Sequence, residues 1–479
     1  MVEKIPIKKR GKLQEDAKAT ENNRAIDAFT LKKEKTYQQE KLRRIILTLL
    51  IALTLIVTAS AQETSPKIDT GDTAWVIMSA ALVMVMTPAL GFFYGGMVRK
   101  KNTLAIITQC MVILAIISVQ WVLIGYSLSF GPDIKGFIGG LEYLGLKGVG
   151  MTPDPNYSST IPALAFMIFQ AMFAVITPAL ITGSFADRMK FSSFIIFILL
   201  WSTFVYDPIA HWVWGVGGWI RNMGVLDFAG GTVVHISAGI SALIAAIIIG
   251  RRVEINGGYI RPQDITMTIL GASLLWFGWF GFNAGSALGA NGLAAQAFVV
   301  TNTAAAAAAL SWMMVSWVHT KKPSSLGIAT GAVCGLVAIT PASGFVSVSA
   351  ALVIGVLAGL VCYLAVVILK TYTKIDDALD VMGCHGIGGM LGAVLTGVFA
   401  EKAINYAGAD GLLAGNAQLV FSQFIAVAAV IAYAAVGTAV ILKIVDLAVG
   451  LRVRKEEEIL GLDLTQHGEE AYPDMEIPG

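Results

Sequence analysis

Apolar stretches of 18 or more residues, separated by short polar loops, follow one another through most of the chain after about residue 70. Each stretch is long enough to cross a bilayer core, which is about 30 Å thick. Gly, Ala and Ser are abundant within them, as expected where helices pack closely in lipid. The pattern predicts an all-α polytopic membrane protein with eleven transmembrane helices. These helices are expected over residues 74–98, 105–129, 161–184, 191–210, 231–250, 265–288, 293–318, 324–344, 346–370, 381–400 and 417–447.

The composition agrees with this pattern and excludes several classes of protein. Of the 479 residues, 56% are hydrophobic and 14% are charged, whereas soluble globular chains carry about 25% charged residues. An ordinary cytosolic enzyme, a disordered chain and a nucleic-acid-binding protein are therefore excluded. The four cysteines lie inside apolar segments without metal-ligand spacing, so we interpret them as small core residues. They are Cys110, Cys334, Cys362 and Cys384.

The N-terminal region divides into two parts. Residues 1–44 are polar, with 13 basic and 7 acidic side chains, and their composition predicts a disordered leader. Residues 45–61 follow a basic flank, contain an apolar run and end in Ala59-Ser60-Ala61, as a secretory signal peptide does. We expect cleavage after Ala61, and the alternative is an uncleaved extra helix. The membrane domain is then expected over residues 62–450 and a tail over residues 451–479.

Basic residues are distributed unevenly between the two alternating sets of loops. One set contains 12 Lys and Arg residues and the other contains 4. Cytoplasmic loops carry the excess of basic residues, so the sequence predicts a multi-pass protein of the cell membrane with its mature N-terminus outside and its tail inside. The set of 12 is Arg99, Lys100, Lys101, Arg188, Lys190, Arg251, Arg252, Arg261, Lys321, Lys322, Lys370 and Lys374, and the set of 4 is Lys135, Lys147, Arg221 and Lys402.

Two buried histidines occupy matching places in the predicted fifth and tenth helices. His235 and His385 are each followed four residues later by Gly in a small-residue helix. Eleven spans divide into five plus five plus one, and five-helix halves insert with opposite topology. Such inverted repeats usually place the substrate path near the bilayer midplane, at the repeat interface. We therefore expect the two imidazoles to share a site in the middle of the membrane.

Each histidine also has a simpler interpretation, as a hydrogen-bonded packing residue. A third interpretation is haem ligation by two imidazoles, as in membrane cytochromes. If the rings line a dry path instead, they can exchange a hydrogen bond and move a proton. Removal from water disfavours charged forms, so such a path favours the neutral form of a weak base over its protonated cation.

Aromatic side chains concentrate on the predicted outer side, and they allow two interpretations. Tryptophan at that depth commonly forms an interfacial belt. Alternatively, aromatic faces bind a small, partly dehydrated cation, and a hydroxyl such as that of Ser286 adds an oxygen acceptor. The residues concerned are Phe169, Phe173, Trp212, Trp214, Trp219, Trp276, Trp279, Phe280 and Phe282.

Two further segments have mainly structural interpretations. Asp227 precedes the fifth helix, where a carboxylate caps backbone N–H groups. The tail alternates in charge, which favours a solvated segment, although it could dock on the cytoplasmic loops or on a neighbouring subunit. The sequence contains no phosphate-binding loop or metalloprotease motif in an expected context, so ATP-driven transport within this chain is not expected.

Several long motifs, in order, resemble the ammonium transporter family, the Amt/Mep branch of the Amt/Mep/Rh superfamily. The resemblance covers nearly all of the chain after about residue 70. Its most specific parts are Gly91–Gly96 (GFFYGG), Leu226–His235 (LDFAGGTVVH), Trp279–Ser286 (WFGFNAGS), Asp376–Gly386 (DDALDVMGCHG) and His467–Tyr472 (HGEEAY).

The resemblance implies homotrimers in which each subunit encloses a pore, with no enzymatic activity and no cofactor or metal. By position it implies an outer ammonium site of Trp214, Phe173 and Ser286, with Trp279 nearby and with structural support from Asp227. It also implies a gate formed by Phe173 and Phe282. Beyond the gate it implies twin pore histidines, His235 and His385. A loop one residue longer than in some relatives leaves Trp212 as an alternative to Trp214. Many family members are blocked from the cytoplasm by PII-type signal proteins.

The sequence therefore predicts a transporter that conducts ammonium, as ammonia plus a proton, down its electrochemical gradient. A membrane ammonium sensor without net transport is the alternative.

Overall fold

The computed structural model describes residues 7–60, 67–253 and 260–472. The chain divides into two compact units, Met1–Ser65 and Pro66–Gly479. The predicted cleavage site at Ala61 lies outside the described residues, so cleavage stays a prediction.

The first unit contains one long helix, α1, over Ile7–Ser60. Its side chains from residue 26 to residue 52 are all exposed. A helix thus occupies the segment for which the polar composition predicts disorder. Ala, Lys, Glu, Gln and Leu are frequent there, and these residues have the highest helix propensities. The helix continues from the basic flank into the signal-like segment without a break.

The second unit is a bundle of helices. Ten of its described helices are long and apolar enough to cross a membrane, and an eleventh, α9, is a shorter apolar helix. The bounds are α2 Thr70–Met97, α3 Lys100–Phe130, α4 Ala163–Ser184, α5 Phe191–Asn222, α6 Gly231–Ile249, α7 Ile265–Gly285, α8 Gly292–Thr320, α9 Ser325–Ile339, α10 Val348–Tyr372, α11 Met382–Phe399 and α12 Ala417–Val449.

All eleven segments overlap predicted spans. Helix α5 extends 12 residues beyond its predicted end at residue 210, and α9 is shorter than its predicted span. It has 15 residues, which gives a length of about 22 Å at 1.5 Å per residue. The predicted span 324–344 continues past Ile339, but residues 340–345 form buried turns that begin at Thr340 and Pro341. A proline after the helix end is common because it cannot continue the helix.

Helices α6 and α11 approach each other so closely that a side chain would not fit between them. A Cβ atom on Gly239 of α6 would lie 2.2 Å from the backbone nitrogen of Gly386 in α11. Each of these helices begins with a π-helical turn, over Gly231–Ile236 and Met382–Gly386. His235 and His385 lie in those turns, so the two glycines bring the two histidines together.

A small hairpin and the C-terminal tail mark the two ends of the bundle. Strands β1, Asp133–Ile134, and β2, Ile138–Gly139, pair in an antiparallel hairpin. We call the end that carries residues 131–140 the hairpin end and the end that carries residues 451–472 the tail end.

The tail packs against the rest of its own unit. It forms a short helix, α13, over Lys455–Leu460, and a π-helical turn over Asp463–His467. The carboxylate of Asp463 accepts hydrogen bonds from the backbone N–H groups of Leu104 and Ala105, at 3.0 and 2.7 Å. The charge pattern favours a solvated tail, whereas the structure shows the tail packed on α3. The physical reason is that Asp463 accepts hydrogen bonds from N–H groups near the start of α3, where helical N–H groups lack partners within the helix.

We predict that Gly239→Ala lowers the thermal unfolding midpoint of the purified protein. The added methyl group would meet the Gly386 backbone, and overpacking of this kind costs about 1–3 kcal/mol. Gly292→Ala is the matched control, because a Cβ atom at Gly292 meets nothing within 4 Å. Equal midpoints for the two variants would show that the contact between α6 and α11 is not tight.

Candidate functional site

Two cavities of very different size meet at a pair of phenylalanine rings. The wide cavity has a volume of about 480 Å³ and is lined by Phe173, Trp214 and Ser286 among others. The narrow cavity has a volume of about 10 Å³ and includes Phe282 and both histidines. The rings of Phe173 and Phe282 lie 4.3 Å apart between centroids. The pair therefore lies between the two cavities.

The wide cavity combines aromatic faces with an oxygen acceptor. The ring of Trp214 lies 5.8 Å from that of Phe173 and nearly perpendicular to it. The hydroxyl of Ser286 donates to the carbonyl oxygen of Phe282 at 2.9 Å, which leaves its lone pairs able to accept from another donor. Aromatic faces attract cations, so this arrangement can hold a small cation that carries N–H groups.

The position of Trp212 differs from that of Trp214. The indole of Trp212 donates to the carbonyl of Phe137 in the hairpin at 2.7 Å, and its ring packs 4.6 Å from that of Tyr433. It does not line the wide cavity. Of the two tryptophans that the sequence leaves open, the geometry therefore favours Trp214 for the cation site.

Asp227 organises the start of α6. Its carboxylate accepts hydrogen bonds from the backbone N–H groups of Gly230, Gly231 and Thr232, at 2.8, 2.6 and 2.7 Å, and from the Thr232 hydroxyl. Its backbone carbonyl accepts from the indole of Trp214 at 2.9 Å. Both carboxylate oxygens are thus engaged by the helix start, and Asp227 fixes Trp214 through its main chain.

Gln170 is a feature of the wide cavity that the sequence interpretation missed. It lines the cavity, and its buried side-chain oxygen has no hydrogen-bond partner within the described ranges. A buried unpaired acceptor is costly, so a ligand with N–H groups would satisfy it. The sequence could have indicated Gln170, because it lies three residues before Phe173 and therefore on the same face of α4.

The two histidines meet in the narrow cavity. Nδ1 of His385 lies 3.3 Å from Nδ1 of His235, and the ring centroids are 5.3 Å apart. The ring of Trp279 stacks 5.4 Å from that of His235. Trp279 lines the narrow cavity, so the structure places it on the histidine side of the phenylalanine pair, away from Trp214 and Ser286.

Thr340, which the sequence interpretation did not single out, restricts the protons of this pair. Its hydroxyl donates to Leu336 O at 2.7 Å and accepts from Trp279 Nε1 at 2.9 Å. Nε2 of His235 lies 3.4 Å from the same oxygen. Because a hydroxyl has one proton, this contact requires the proton on Nε2 of His235. Its Nδ1 is then an acceptor, and the proton between the rings belongs to Nδ1 of His385.

The narrow cavity is almost entirely apolar. Its volume is at the lower limit of what holds one water molecule, about 10–15 Å³. Besides the two histidines and Trp279, its lining side chains are Met86, Leu90, Phe93, Ile176, Leu180, Val234, Leu275, Phe282 and Val333. A permanent charge that enters such a space loses its hydration without replacement.

The contact between the two histidine rings does not fit haem ligation by this pair. The nitrogens of His235 and His385 contact each other directly, so an iron atom and its macrocycle have no space between them. Among the residues that the structure describes, no group of three or more His, Cys, Asp or Glu side chains could hold a metal ion. The four cysteines are buried and free, as expected of core residues.

Comparison with known proteins identifies the family. Residues 74–472 match the sequence profile of the Ammonium Transporter Family. The chain belongs to this family. It is 52% identical over 404 residues to the ammonium transporter of Bacillus subtilis, which covers 84% of this chain and 99% of that protein. It is also 52% identical over 402 residues to the ammonium transporter Amt1 of Archaeoglobus fulgidus, with coverage of 84% and 99%.

Solved structures of the ammonium transporter fold agree. The crystal structure of Saccharomyces cerevisiae Mep2 superimposes with a TM-score of 0.76 at 36% identity, over 82% of this chain and 92% of that one. A structure described as a sensor Amt protein superimposes with a TM-score of 0.76 at 28% identity, over 83% and 98%. The family consists of membrane transporters rather than enzymes, and the chain is a multi-pass membrane protein.

We predict that Thr340→Val destabilises the protein while Thr340→Ser does not. Valine keeps the shape but leaves the buried N–H of Trp279 without an acceptor, which costs about 1–3 kcal/mol. Serine retains the hydroxyl. Thermal unfolding of the purified variants measures the difference, and a valine variant as stable as the serine variant would argue against the hydrogen-bond arrangement around Thr340.

Proposed function

We propose that the chain conducts ammonium across the cell membrane down its electrochemical gradient, as ammonia plus a proton, for nitrogen uptake. Ammonium is recruited in the wide cavity at Trp214, Phe173, Ser286 and Gln170. It passes the gate of Phe173 and Phe282 and loses a proton before it enters the narrow cavity.

The observation that supports this proposal is the contact of His235 with His385 inside a cavity too small and too apolar for a hydrated ion. Neutral imidazoles joined by a hydrogen bond can accept and pass a proton. Ammonia can continue as a small neutral molecule that hydrogen-bonds to the ring nitrogens. Potassium carries a permanent charge and has no proton to leave behind, so the full cost of a charge in an apolar space falls on it.

The architecture around this path includes several further proposals. We infer that all eleven helices α2–α12 span the membrane, with α2–α6 and α7–α11 as inverted repeats and α12 added. The uneven loop charges place the hairpin end outside and the tail end in the cytoplasm. From the family resemblance we propose that the chain forms homotrimers and that a PII-type regulatory protein binds at the cytoplasmic face. From the sequence pattern we propose that a signal peptide is removed after Ala61.

We predict that His235→Ala or His385→Ala alters ammonium flux or the preference for ammonium over potassium. Removal of either imidazole breaks the proton path and opens space for water, so the preference should change by about tenfold or more, which corresponds to 1.4 kcal/mol. Currents in liposomes after an ammonium pulse and after a potassium pulse measure both quantities.

The control is His319→Ala, because His319 lies at the end of α8 and hydrogen-bonds to Tyr363, outside both cavities. Unfolding midpoints of all three variants exclude misfolding as the cause. Wild-type flux and wild-type preference in both folded pore variants would contradict the role assigned to the pair.

We predict that Trp214→Leu and Ser286→Leu weaken recruitment. Each removes a group that compensates for lost hydration of the cation, and cation–π contacts contribute about 0.5–2 kcal/mol. The ammonium concentration at half-maximal current should therefore rise about three- to thirtyfold. Trp317→Leu is the matched control, since Trp317 lies on α8 with half of its surface exposed. An unchanged half-saturation in both variants would favour an aromatic belt.

An ammonium sensor is the second candidate function, because one structural neighbour is described as a sensor Amt protein. A receptor can use the same cation site and transmit a signal through the tail that packs on α3. The liposome measurement separates the two functions. A transporter gives an ammonium-dependent current, whereas a pure receptor binds ammonium without one.

A further inference from the structure

His211 lies on α5, three residues before Trp214, in a buried position between two hydrogen-bond acceptors. Its Nδ1 is 3.0 Å from the backbone carbonyl oxygen of Ser129. Its Nε2 is 2.8 Å from a carboxylate oxygen of Asp133 in the hairpin. The side chain is fully buried, whereas Asp133 keeps 29% of its side-chain surface exposed.

The two acceptors decide the number of protons on the ring. A carbonyl oxygen and a carboxylate oxygen cannot donate, and a neutral imidazole has only one N–H group. A neutral His211 would therefore turn a bare nitrogen toward one of the oxygens at hydrogen-bond distance. Two ring protons satisfy both contacts, and the positive charge then faces the carboxylate.

Asp133 is suited to keep that charge paired. Although partial burial opposes its ionisation, hydrogen bonds from His211 and from the backbone N–H of Gly136 lower the pKa of Asp133 below its ordinary value. The Gly136 N–H lies 2.8 and 2.9 Å from the two carboxylate oxygens. The carboxylate is thus ionised at neutral pH and is oriented by the hairpin turn.

We propose that His211 is a doubly protonated imidazolium that clamps the hairpin of residues 131–140 onto the end of α5, and that this clamp positions Trp214 in the wide cavity. His211 is then a positioning residue, because it lines neither cavity. The second half of the proposal rests on the proposed recruitment of ammonium at Trp214, whereas the protonation state does not.

The contacts around the hairpin explain how the clamp reaches Trp214. The chain leaves Trp214 through residues 215–218, and this loop lies directly on the hairpin. A Cβ atom on Gly217 would be 2.4 Å from Cβ of Asp133. On the far side of the loop, the Trp219 N–H donates to Gly136 O at 3.2 Å. A hairpin that moves away therefore releases the backbone within this loop and directly after it.

Other ionisable groups near the clamp are engaged elsewhere. Asp207, one helical turn before His211, accepts from the side-chain amide of Gln120 at 2.8 Å. Arg221 donates to the carbonyl of Trp214 at 2.6 Å. The Tyr157 hydroxyl accepts from the Val216 N–H at 3.3 Å, and Tyr433 packs on Trp212. Asp133 is the group that contacts the His211 ring itself.

Nitrogen NMR of the protein in lipid vesicles, with ¹⁵N-labelled histidine at neutral pH, tests the protonation state. We expect an imidazole with two protonated nitrogens whose signals disappear in His211→Gln. In Asp133→Asn the same ring should become singly protonated, because the neutral amide no longer stabilises the cation. His319→Gln is the control and should remove a different ring. Signals of a singly protonated ring lost in His211→Gln would overturn the clamp.

Ammonium titrations of Asp133→Asn test the positioning role. Loss of a charge-assisted hydrogen bond should raise the half-saturating ammonium concentration about three- to tenfold, with maximal current and the ammonium-to-potassium preference unchanged. Because Asp133 is partly exposed, this variant also tests the proposal if His211→Gln fails to fold. An unchanged half-saturation would overturn the positioning role.

The two proposals can fail separately. Half-saturation is read from liposome current and also from the change in tryptophan fluorescence on ammonium addition. A wild-type protein that binds ammonium without current overturns transport, while the fluorescence titration and the NMR spectra still decide the clamp. A conducting protein whose His211 is singly protonated overturns the clamp and leaves transport standing.

Discussion

The contact between α6 and α11 determines the geometry of the narrow cavity. Gly239 and Gly386 let the two backbones touch, and the π-helical turns at the helix starts bring His235 and His385 into direct contact. Wider spacing would admit water between the rings, and a hydrated cavity would tolerate cations that a dry one rejects. The small volume of the narrow cavity therefore depends on a backbone distance that only glycine permits.

Several polar groups around the two cavities are already hydrogen-bonded within the protein. The carboxylate of Asp227 accepts hydrogen bonds from the start of α6. The hydroxyl of Thr340 hydrogen-bonds to Leu336, Trp279 and His235. Ser286 and Gln170 keep unused acceptor capacity at the wide cavity. Oxygen acceptors thus lie on the wide-cavity side of the phenylalanine pair and imidazole nitrogens on the narrow-cavity side. The proposed mechanism uses this order to separate recruitment from deprotonation.

The sequence predicts the membrane segments well because apolar runs of span length are separated by polar loops. It also indicates the histidine pair, because histidines are rare in apolar helices and these two occupy matching places in the fifth and tenth predicted helices. It does not predict the depth of Trp279, the free oxygen of Gln170 or the contacts of Thr340, since these depend on how α4, α7 and α9 are rotated against their neighbours. Docking of the tail through Asp463 likewise depends on backbone groups that a charge pattern does not reveal.

The short helix α9 has a consequence for the biogenesis of the protein. Its 15 residues end in buried turns, and two carbonyl groups of these turns accept hydrogen bonds from distant segments. The carbonyl of Pro341 accepts from the Phe228 N–H at 3.1 Å, and the carbonyl of Phe345 accepts from the Glu401 N–H at 2.9 Å. Because Glu401 is synthesised after α9, the hydrogen bond from its N–H to Phe345 cannot form while α9 leaves the translocon. The turns after α9 therefore reach their final hydrogen-bonding pattern only after α11 has been inserted.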